Sequence, residues 1–177
     1  MEDENILTPK EQKIKEIFDK IQPEYEKDNH FLASKDNEIK NKITKLKSFL
    51  FSKYQNNCKE HLTWFYDKGG KISEDENKEL TMNIPENISN DKNFNLLTNC
   101  FHEQSWEIAE FFTKMKQKYE DNLSYKENCI HSCVINIEPN LEKDLNVCIK
   151  GCLKTSFDDL NNYYETLDKK INRFMKI

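Results

Sequence analysis

Glycine and proline are scarce in this chain. Its 177 residues include only three glycines and four prolines, whereas globular proteins average about 7% Gly and 5% Pro. These two residue types supply many of the tight turns that connect short strands. Their scarcity therefore excludes a β-sandwich with many turns and a glycine-rich loop that cradles phosphate. Long helices joined by few connections are the expected fold.

Long apolar runs and arginine are also missing. The longest apolar runs are three residues, such as Phe49-Leu50-Phe51, against roughly 18 residues for a membrane-spanning helix. We therefore expect no transmembrane segment. Arg173 is the single arginine, and 32 acidic residues outnumber 27 basic ones. Because clustered Arg and Lys are needed to bind phosphate backbones, nucleic acid is not an expected partner.

The sequence also lacks the patterns of an enzyme and of a cleavable targeting signal. No Ser/His/Asp arrangement, carboxylate pair or nucleotide-binding loop stands out, so we expect no catalytic activity and no cofactor. Secretory signals open with a positive charge and an apolar core, and mitochondrial presequences are rich in Arg and poor in acid. Here three acidic residues precede the first base, Lys10. We expect neither kind of signal.

Apolar residues recur at helical intervals along the first half of the chain. Thr8-Pro9-Lys10-Glu11 has the residue types of a helix N-terminus, and this first helix is expected to stop at Pro23. A long amphipathic helix of roughly eight turns is then expected from Asp36. Gly69-Gly70 should end it.

The second half follows a similar pattern after a polar linker. We expect the linker at 71–91, with a short helix at 73–80. A second long helix should run from Phe94 toward the cysteines, with a break near Asn122, and Pro139 marks the next turn. A last helix reaches nearly to the C-terminus. The predicted fold is all-α, with antiparallel helices divided into an N-terminal helical extension at 1–35, a second helical region at 36–101 and a hairpin at 102–177.

Four of the six cysteines form two Cys-x-x-x-Cys pairs, Cys129 with Cys133 and Cys148 with Cys152. Positions i and i+4 lie on one face of a helix, and the turn at Pro139 makes the two helices antiparallel. In two antiparallel helices, the residue numbers of contacting positions have a constant sum. Cys129 with Cys152 and Cys133 with Cys148 have the same sum. The register thus predicts two stacked disulfides. A four-thiolate zinc site in a cytosolic protein and buried free thiols are the alternatives.

The same test applies to the remaining cysteines, Cys58 and Cys100. Each lies in a predicted long helix, and Leu62 and Leu96 occupy matching positions one turn further inward. This arrangement predicts a degenerate hairpin in which Cys58–Cys100 is the outer disulfide and the two leucines replace the inner one. Two buried thiols are the alternative.

The spacing of Cys129, Cys133, Cys148 and Cys152 resembles the twin CX3C family, the small Tim proteins of the mitochondrial intermembrane space. The resemblance covers only about 102–177. It implies a disulfide-bonded helical hairpin, import without a cleavable presequence, and hexameric rings of paralogues that chaperone hydrophobic precursors. Disulfides also require an oxidising compartment.

Together these features favour a structural protein over a catalyst. We expect an accessory subunit of a mitochondrial inner-membrane assembly, such as a respiratory-chain complex, located in the intermembrane space at the surface of the inner membrane. Its expected partners are small-Tim-like paralogues and that membrane complex. A soluble chaperone for hydrophobic precursors is the alternative. Among other residues, His131 is expected to be solvated, and the aromatic residues Trp106, Phe111 and Phe112 are expected to be core rather than a client-binding surface.

Overall fold

The computed structural model describes residues 8–75, 80–138 and 142–176, and these residues are almost entirely helical. The predicted all-α fold with disulfide-linked helices is confirmed. One short strand pair and a single 3-10 turn interrupt the helices. The elements are α1 (Pro9–Asn57), α2 (Lys59–Asp67), β1 (Lys71–Glu74), β2 (Leu80–Asn83), α3 (Lys92–Asn136) and α4 (Glu142–Phe174), with the 3-10 turn at Glu86–Ile88.

A capping box begins α1, as the sequence predicts. The Thr8 backbone N–H donates to Glu11 Oε2 at 2.7 Å, and the Glu11 backbone N–H donates to Thr8 Oγ1 at 3.3 Å. These two bonds satisfy donors that the first helical turn leaves without partners. The bond from the Thr8 backbone lowers the pKa of the Glu11 carboxyl from its ordinary value.

The predicted stop at Pro23 is wrong, because α1 continues through it to Asn57. A proline inside a helix costs about 3 kcal/mol, since it removes one N–H donor and crowds the preceding turn. Pro23 lies on the exposed side of α1, whereas Ile17 and Ile21 are buried there. Burying each isoleucine contributes about 1.5–3 kcal/mol. Tyr25, after the proline, packs against the same cluster as Ile17 and Ile21 before it, so burial on both sides of Pro23 favours a continuous helix.

The helix predicted from Asp36 is not continuous. It ends with α1 at Asn57, and α2 begins after Cys58, whose backbone angles are φ −107° and ψ 20°. The predicted end at the two glycines is confirmed. Gly69 adopts φ +85° just after α2, a left-handed conformation that glycine accepts at little cost.

The short helix predicted at 73–80 is wrong at its described positions. Strands β1 and β2 form an antiparallel pair in which Ile72 lies opposite Met82; residues 76–79 lie outside the described part of the chain. Both side chains pack against the apolar cluster around Phe65, while Lys71 and Ser73 are exposed. This alternation between faces is the period of a strand.

Helix α3 has no break at Asn122, so that prediction is also wrong. The turn predicted at Pro139 falls outside the described residues. Helix α4 ends at Phe174, close to the predicted position.

The described residues form two compact units that differ from the three-part division expected from the sequence. The first unit contains the described residues up to 37 and those from 115 to 166. The second contains 38–114 and the end of the chain from 167. The sequence division follows the predicted ends of the helices. The compact units instead follow contacts between residues, which each helix makes along its length. One core cluster comprises Ile17, Ile21, Cys133, Leu145, Ile149, Cys152 and Leu153, and another comprises Cys58, Leu62, Phe65, Ile88 and Leu97.

Candidate functional site

Two disulfides connect α3 to α4 in the first unit. Cys129 is bonded to Cys152 with a Cα–Cα distance of 5.8 Å, and Cys133 is bonded to Cys148 with a Cα–Cα distance of 5.9 Å. This is the pairing that the antiparallel register predicts. Both distances lie near the usual value for a disulfide. The two bridges therefore connect the same pair of helices and are one helical turn apart.

The sulfur atoms of the two bridges are in mutual contact and differ in burial. Cys133 and Cys152 are 2% and 3% exposed, while Cys129 and Cys148 are half-buried. Each bridge thus joins a buried cysteine to a half-buried one. The two buried sulfur atoms belong to different bridges and lie 3.6 Å apart.

The zinc alternative can be compared with this geometry. The sulfur atoms of Cys133, Cys148 and Cys152 lie within 4.8 Å of one another, close enough to share a metal ion if they were thiolates. In the structure all three atoms are parts of disulfides. A disulfide sulfur does not supply the thiolate that zinc binds, so the arrangement favours bridges over a metal centre.

A third disulfide lies in the second unit. Cys58, at the break between α1 and α2, is bonded to Cys100 on α3 with a Cα–Cα distance of 6.0 Å. The predicted leucine pair beside it is wrong, because Leu96 is 40% exposed. Leu97 is fully buried and shares a cluster with Leu62 instead. The break at Cys58 separates α1 from α2, so the register of one straight helix pair does not extend to position 62.

The N-terminal half of α1 packs against the disulfide-bonded hairpin. Ile17 and Ile21 lie in one buried cluster with both buried cysteines and with residues of α4 such as Ile149. Ile14, Phe18 and Tyr25 are half-buried against the same cluster. An apolar stripe of α1 therefore covers part of the hairpin within the chain itself.

Ion pairs surround this contact. Lys20 Nζ lies 2.6 Å from Glu142 Oε1, and Lys150 Nζ lies 2.7 Å from Glu24 Oε2. The hydrogen bond and the attraction between Lys20 and Glu142 raise the pKa of the lysine and lower that of the carboxyl. Because these side chains are largely solvent-exposed, each pair contributes little to stability. Their main effect is to favour one position of α1 along the hairpin.

A buried polar pair also joins α3 to α4. Asn122 is 7% exposed and Ser156 is 1% exposed. Ser156 Oγ donates to Asn122 Oδ1 at 2.8 Å, and Asn122 Nδ2 donates to the Ser156 carbonyl at 3.1 Å. Sequence reasoning missed this pair, although Asn122 lies seven residues before Cys129 and therefore on the same face of α3.

Two grooves run along the α3–α4 hairpin, lined by residues of these two helices and, in the second groove, also by Ile137 just after α3. The first has a volume of about 440 Å³ and a mixed lining that includes Met115, Asp121 and Tyr163. The second, about 470 Å³, is lined mainly by apolar surface and includes three of the hairpin cysteines. Tyr125 lines both grooves.

The other candidates from the sequence are dispersed. His131 is exposed, as expected. Trp106 is 52% exposed, so the prediction that it belongs to the core is wrong. Phe111 packs edge to face against Phe112 and Phe174, with ring centroids 5.6 and 5.7 Å apart. The three predicted aromatic residues therefore do not form one buried stripe.

Comparison with protein-family models, with curated proteins and with solved structures finds no match to this chain. Among the described residues, no helix is long and apolar enough to cross a membrane. The site is thus defined by its own geometry: two stacked disulfides in a helical hairpin, one side of which is covered by α1.

Proposed function

We propose that this chain is a structural accessory subunit of a mitochondrial inner-membrane assembly, such as a respiratory-chain complex. In this proposal the disulfide-bonded hairpin resembles that of small Tim proteins and faces the intermembrane space. The cysteine spacing and the pairing of Cys129 with Cys152 and Cys133 with Cys148 support it. The grouping with small Tim proteins rests on these four residues.

The single observation that carries the choice of a subunit is the contact between α1 and the hairpin. Ile17 and Ile21 are buried in one cluster with Ile149 and Leu153 of α4. A chaperone must leave its apolar binding surface open to clients, because burial of apolar area drives their association. A hairpin that is already covered by its own chain is better suited to a fixed place in an assembly.

The disulfides support an oxidising location. All six cysteines lie in the described part of the chain and are paired there. Disulfides persist in oxidising compartments and are rare in the reduced cytosol. The intermembrane space is the proposed compartment because the cysteine spacing is that of proteins retained there by oxidation.

A soluble chaperone for hydrophobic precursors is the second candidate. The groove lined by Tyr125, Ile137 and three of the hairpin cysteines favours it, because this surface is mainly apolar and no residue of α1 lines it. Its volume of about 470 Å³ is within the range of ligand-binding pockets. A precursor segment bound there would be released again, so its association would be transient.

Affinity purification of the tagged chain from mitochondria in mild detergent tests the proposal. A subunit should retain a fixed set of inner-membrane proteins at constant stoichiometry after a high-salt wash. A chaperone should yield substoichiometric precursors whose amounts fall when new protein synthesis is stopped. Recovery of the chain from the cytosolic fraction with stoichiometric zinc would contradict both candidates and favour a thiol–zinc protein.

A further inference from the structure

The four sulfur atoms of the hairpin contact one another in a fixed order. Cys129 is bonded to Cys152, Cys152 Sγ lies 3.6 Å from Cys133 Sγ, and Cys133 is bonded to Cys148. Thiol–disulfide exchange proceeds by attack of a thiolate on a neighbouring disulfide sulfur. The contact between Cys133 and Cys152 places each buried sulfur beside the other bridge.

Burial determines which of the four sulfur atoms an external thiolate attacks first. The outer atoms belong to Cys129 and Cys148, which are half-buried and line the same groove. The inner atoms belong to Cys133 and Cys152, which are at most 3% exposed. An attacking thiolate therefore reaches an outer sulfur first, and the leaving group is the buried sulfur to which it was bonded.

We propose that the two bridges form an internal exchange relay, in which a low-molecular-weight thiol converts them into one buried Cys133–Cys152 bridge. The thiolate attacks Cys129 Sγ, forms a mixed disulfide and releases the Cys152 thiolate. The Cys152 thiolate attacks Cys133 Sγ, which forms the buried bridge and releases the Cys148 thiolate. A second thiolate then attacks the reagent sulfur of the mixed disulfide and frees Cys129.

The reaction balances as a two-electron reduction. Two thiolates of the reagent become one reagent disulfide, two protein disulfides become one, and Cys129 and Cys148 each take up a proton. If the reagent thiolate instead attacks Cys148 Sγ, the Cys133 thiolate is released. It then attacks Cys152 Sγ and releases the Cys129 thiolate. Both entry points lead to the same product.

The relay has a clear direction. A thiolate on a buried sulfur is poorly solvated, so its charge is unfavourable. Exchange moves that charge from Cys152 or Cys133 to the half-buried Cys129 or Cys148. The product keeps α3 tied to α4 and places two thiols on the groove. One reduction step therefore leaves the hairpin closed but makes it reactive.

A pH jump on the oxidised full chain tests the relay. Partial reduction with a phosphine at about pH 3, where almost no thiolate forms, yields species that retain one original hairpin bridge. These species are isolated, brought to about pH 8 and then alkylated, so that exchange proceeds only after the jump. The conversion should be first order and independent of protein concentration, because it is intramolecular.

Peptide mapping identifies the product. Trypsin cleaves after Lys150 and separates Cys148 from Cys152, and fragmentation between Cys129 and Cys133 shows which of them is alkylated. The relay predicts that a Cys133–Cys152 bridge becomes the main hairpin bridge, with alkyl groups on Cys129 and Cys148. Retention of either original bridge as the main species after the jump would overturn it.

Single substitutions provide an independent test. Cys129→Ser leaves Cys152 as a thiol beside the Cys133–Cys148 bridge, and Cys148→Ser leaves Cys133 as a thiol beside the other bridge. Both variants should end with the same Cys133–Cys152 bridge at about pH 8. Cys58→Ser is the matched control, because its unpaired cysteine lies in the second unit and both hairpin bridges should remain. If the hairpin variants do not fold, the pH jump on the unsubstituted chain decides the question alone.

Discussion

Asn122 and Ser156 hold α3 and α4 together through two hydrogen bonds in the buried interior of the first unit. Ser156 Oγ donates to Asn122 Oδ1 at 2.8 Å, and Asn122 Nδ2 donates to the Ser156 carbonyl at 3.1 Å. A buried polar pair of this kind is stabilising only while both partners are present, because an unpaired buried donor or acceptor loses its solvation without compensation. The pair thus favours one alignment of the hairpin alongside the disulfides.

Asn122→Ala should lower the free energy of unfolding by about 1–3 kcal/mol, because it leaves the Ser156 hydroxyl and carbonyl without their partner. Urea unfolding of the oxidised protein measures the change. Asn128→Ala is the matched control, since Asn128 is exposed on the same helix. Equal stability of the two variants would contradict the assignment.

Leu97→Ala should cost about 2–5 kcal/mol of unfolding free energy, because Leu97 is fully buried beside Leu62 and Phe65. Leu96→Ala removes the same atoms from an adjacent position that is 40% exposed, so its effect should remain below about 1 kcal/mol. Thermal or urea unfolding compares the two. A larger effect at Leu96 would support the inner leucine pair predicted from the sequence.

Ile17→Asp should release the N-terminal half of α1 from the hairpin, because it places a charge in the buried cluster with Ile149. Hydrogen exchange should become faster at residues 9–37. Exchange around Cys129 and Cys148 should change less, because the two disulfides still join α3 to α4. Lys15→Asp is the control, since Lys15 is exposed on the same turn. Unchanged protection of α1 in the Ile17 variant would contradict the proposed cover.

The hydroxyl of Tyr164 should be a source of sensitivity to alkaline pH. Burial, together with the nearby Asp36 carboxylate, raises the pKa of Tyr164 well above its ordinary value of 10.0. A raised pKa in the folded state gives stability that is fully present below pH 10.0 and is lost as pH rises through the folded-state pKa. The free energy of unfolding of Tyr164→Phe should therefore decrease less above pH 10.0 than that of the unsubstituted protein.

Phenolate absorbance during an alkaline titration supplies the measurement. One tyrosine that titrates late in the folded protein should be missing from the Tyr164→Phe variant. Tyr66→Phe removes the hydroxyl of an exposed tyrosine and is the control. Titration of Tyr164 near its ordinary value of 10.0 would contradict the assignment.

The pairing of the hairpin disulfides could be predicted because it depends on helix periodicity and on the antiparallel register of two consecutive helices. Spacing of i and i+4 places Cys129 and Cys133 on one face of a helix, and an antiparallel partner then determines which cysteines meet. The helix start at Thr8 could be predicted because a capping box involves only neighbouring residues.

The remaining features depend on contacts between distant parts of the chain. A proline normally ends a helix, and the contacts of Ile21 before Pro23 and Tyr25 after it with one apolar cluster favour the continuation of α1. Leu96 and Leu97 are the same residue type at adjacent positions, and only Leu97 is buried, in contact with the cluster that contains Leu62 and Phe65. No local pattern carries this information.

The strand pair was not predicted, because its residues lie in a polar stretch and its stability depends on contacts with other parts of the chain. Ile72 and Met82 lie in a polar stretch that reads as a linker, and their pairing becomes favourable through contact with the cluster around Phe65. An isolated two-stranded hairpin is at best marginally stable in water. Packing against the helices supplies the missing stability.

Native electrophoresis of mitochondria solubilised in mild detergent distinguishes an accessory subunit from a chaperone. An accessory subunit should migrate with a large inner-membrane complex and leave that position only when the complex itself is dissociated. Migration as a small soluble ring of about six chains, the oligomer that the resemblance to small Tim proteins implies, would contradict the accessory-subunit proposal and favour the chaperone.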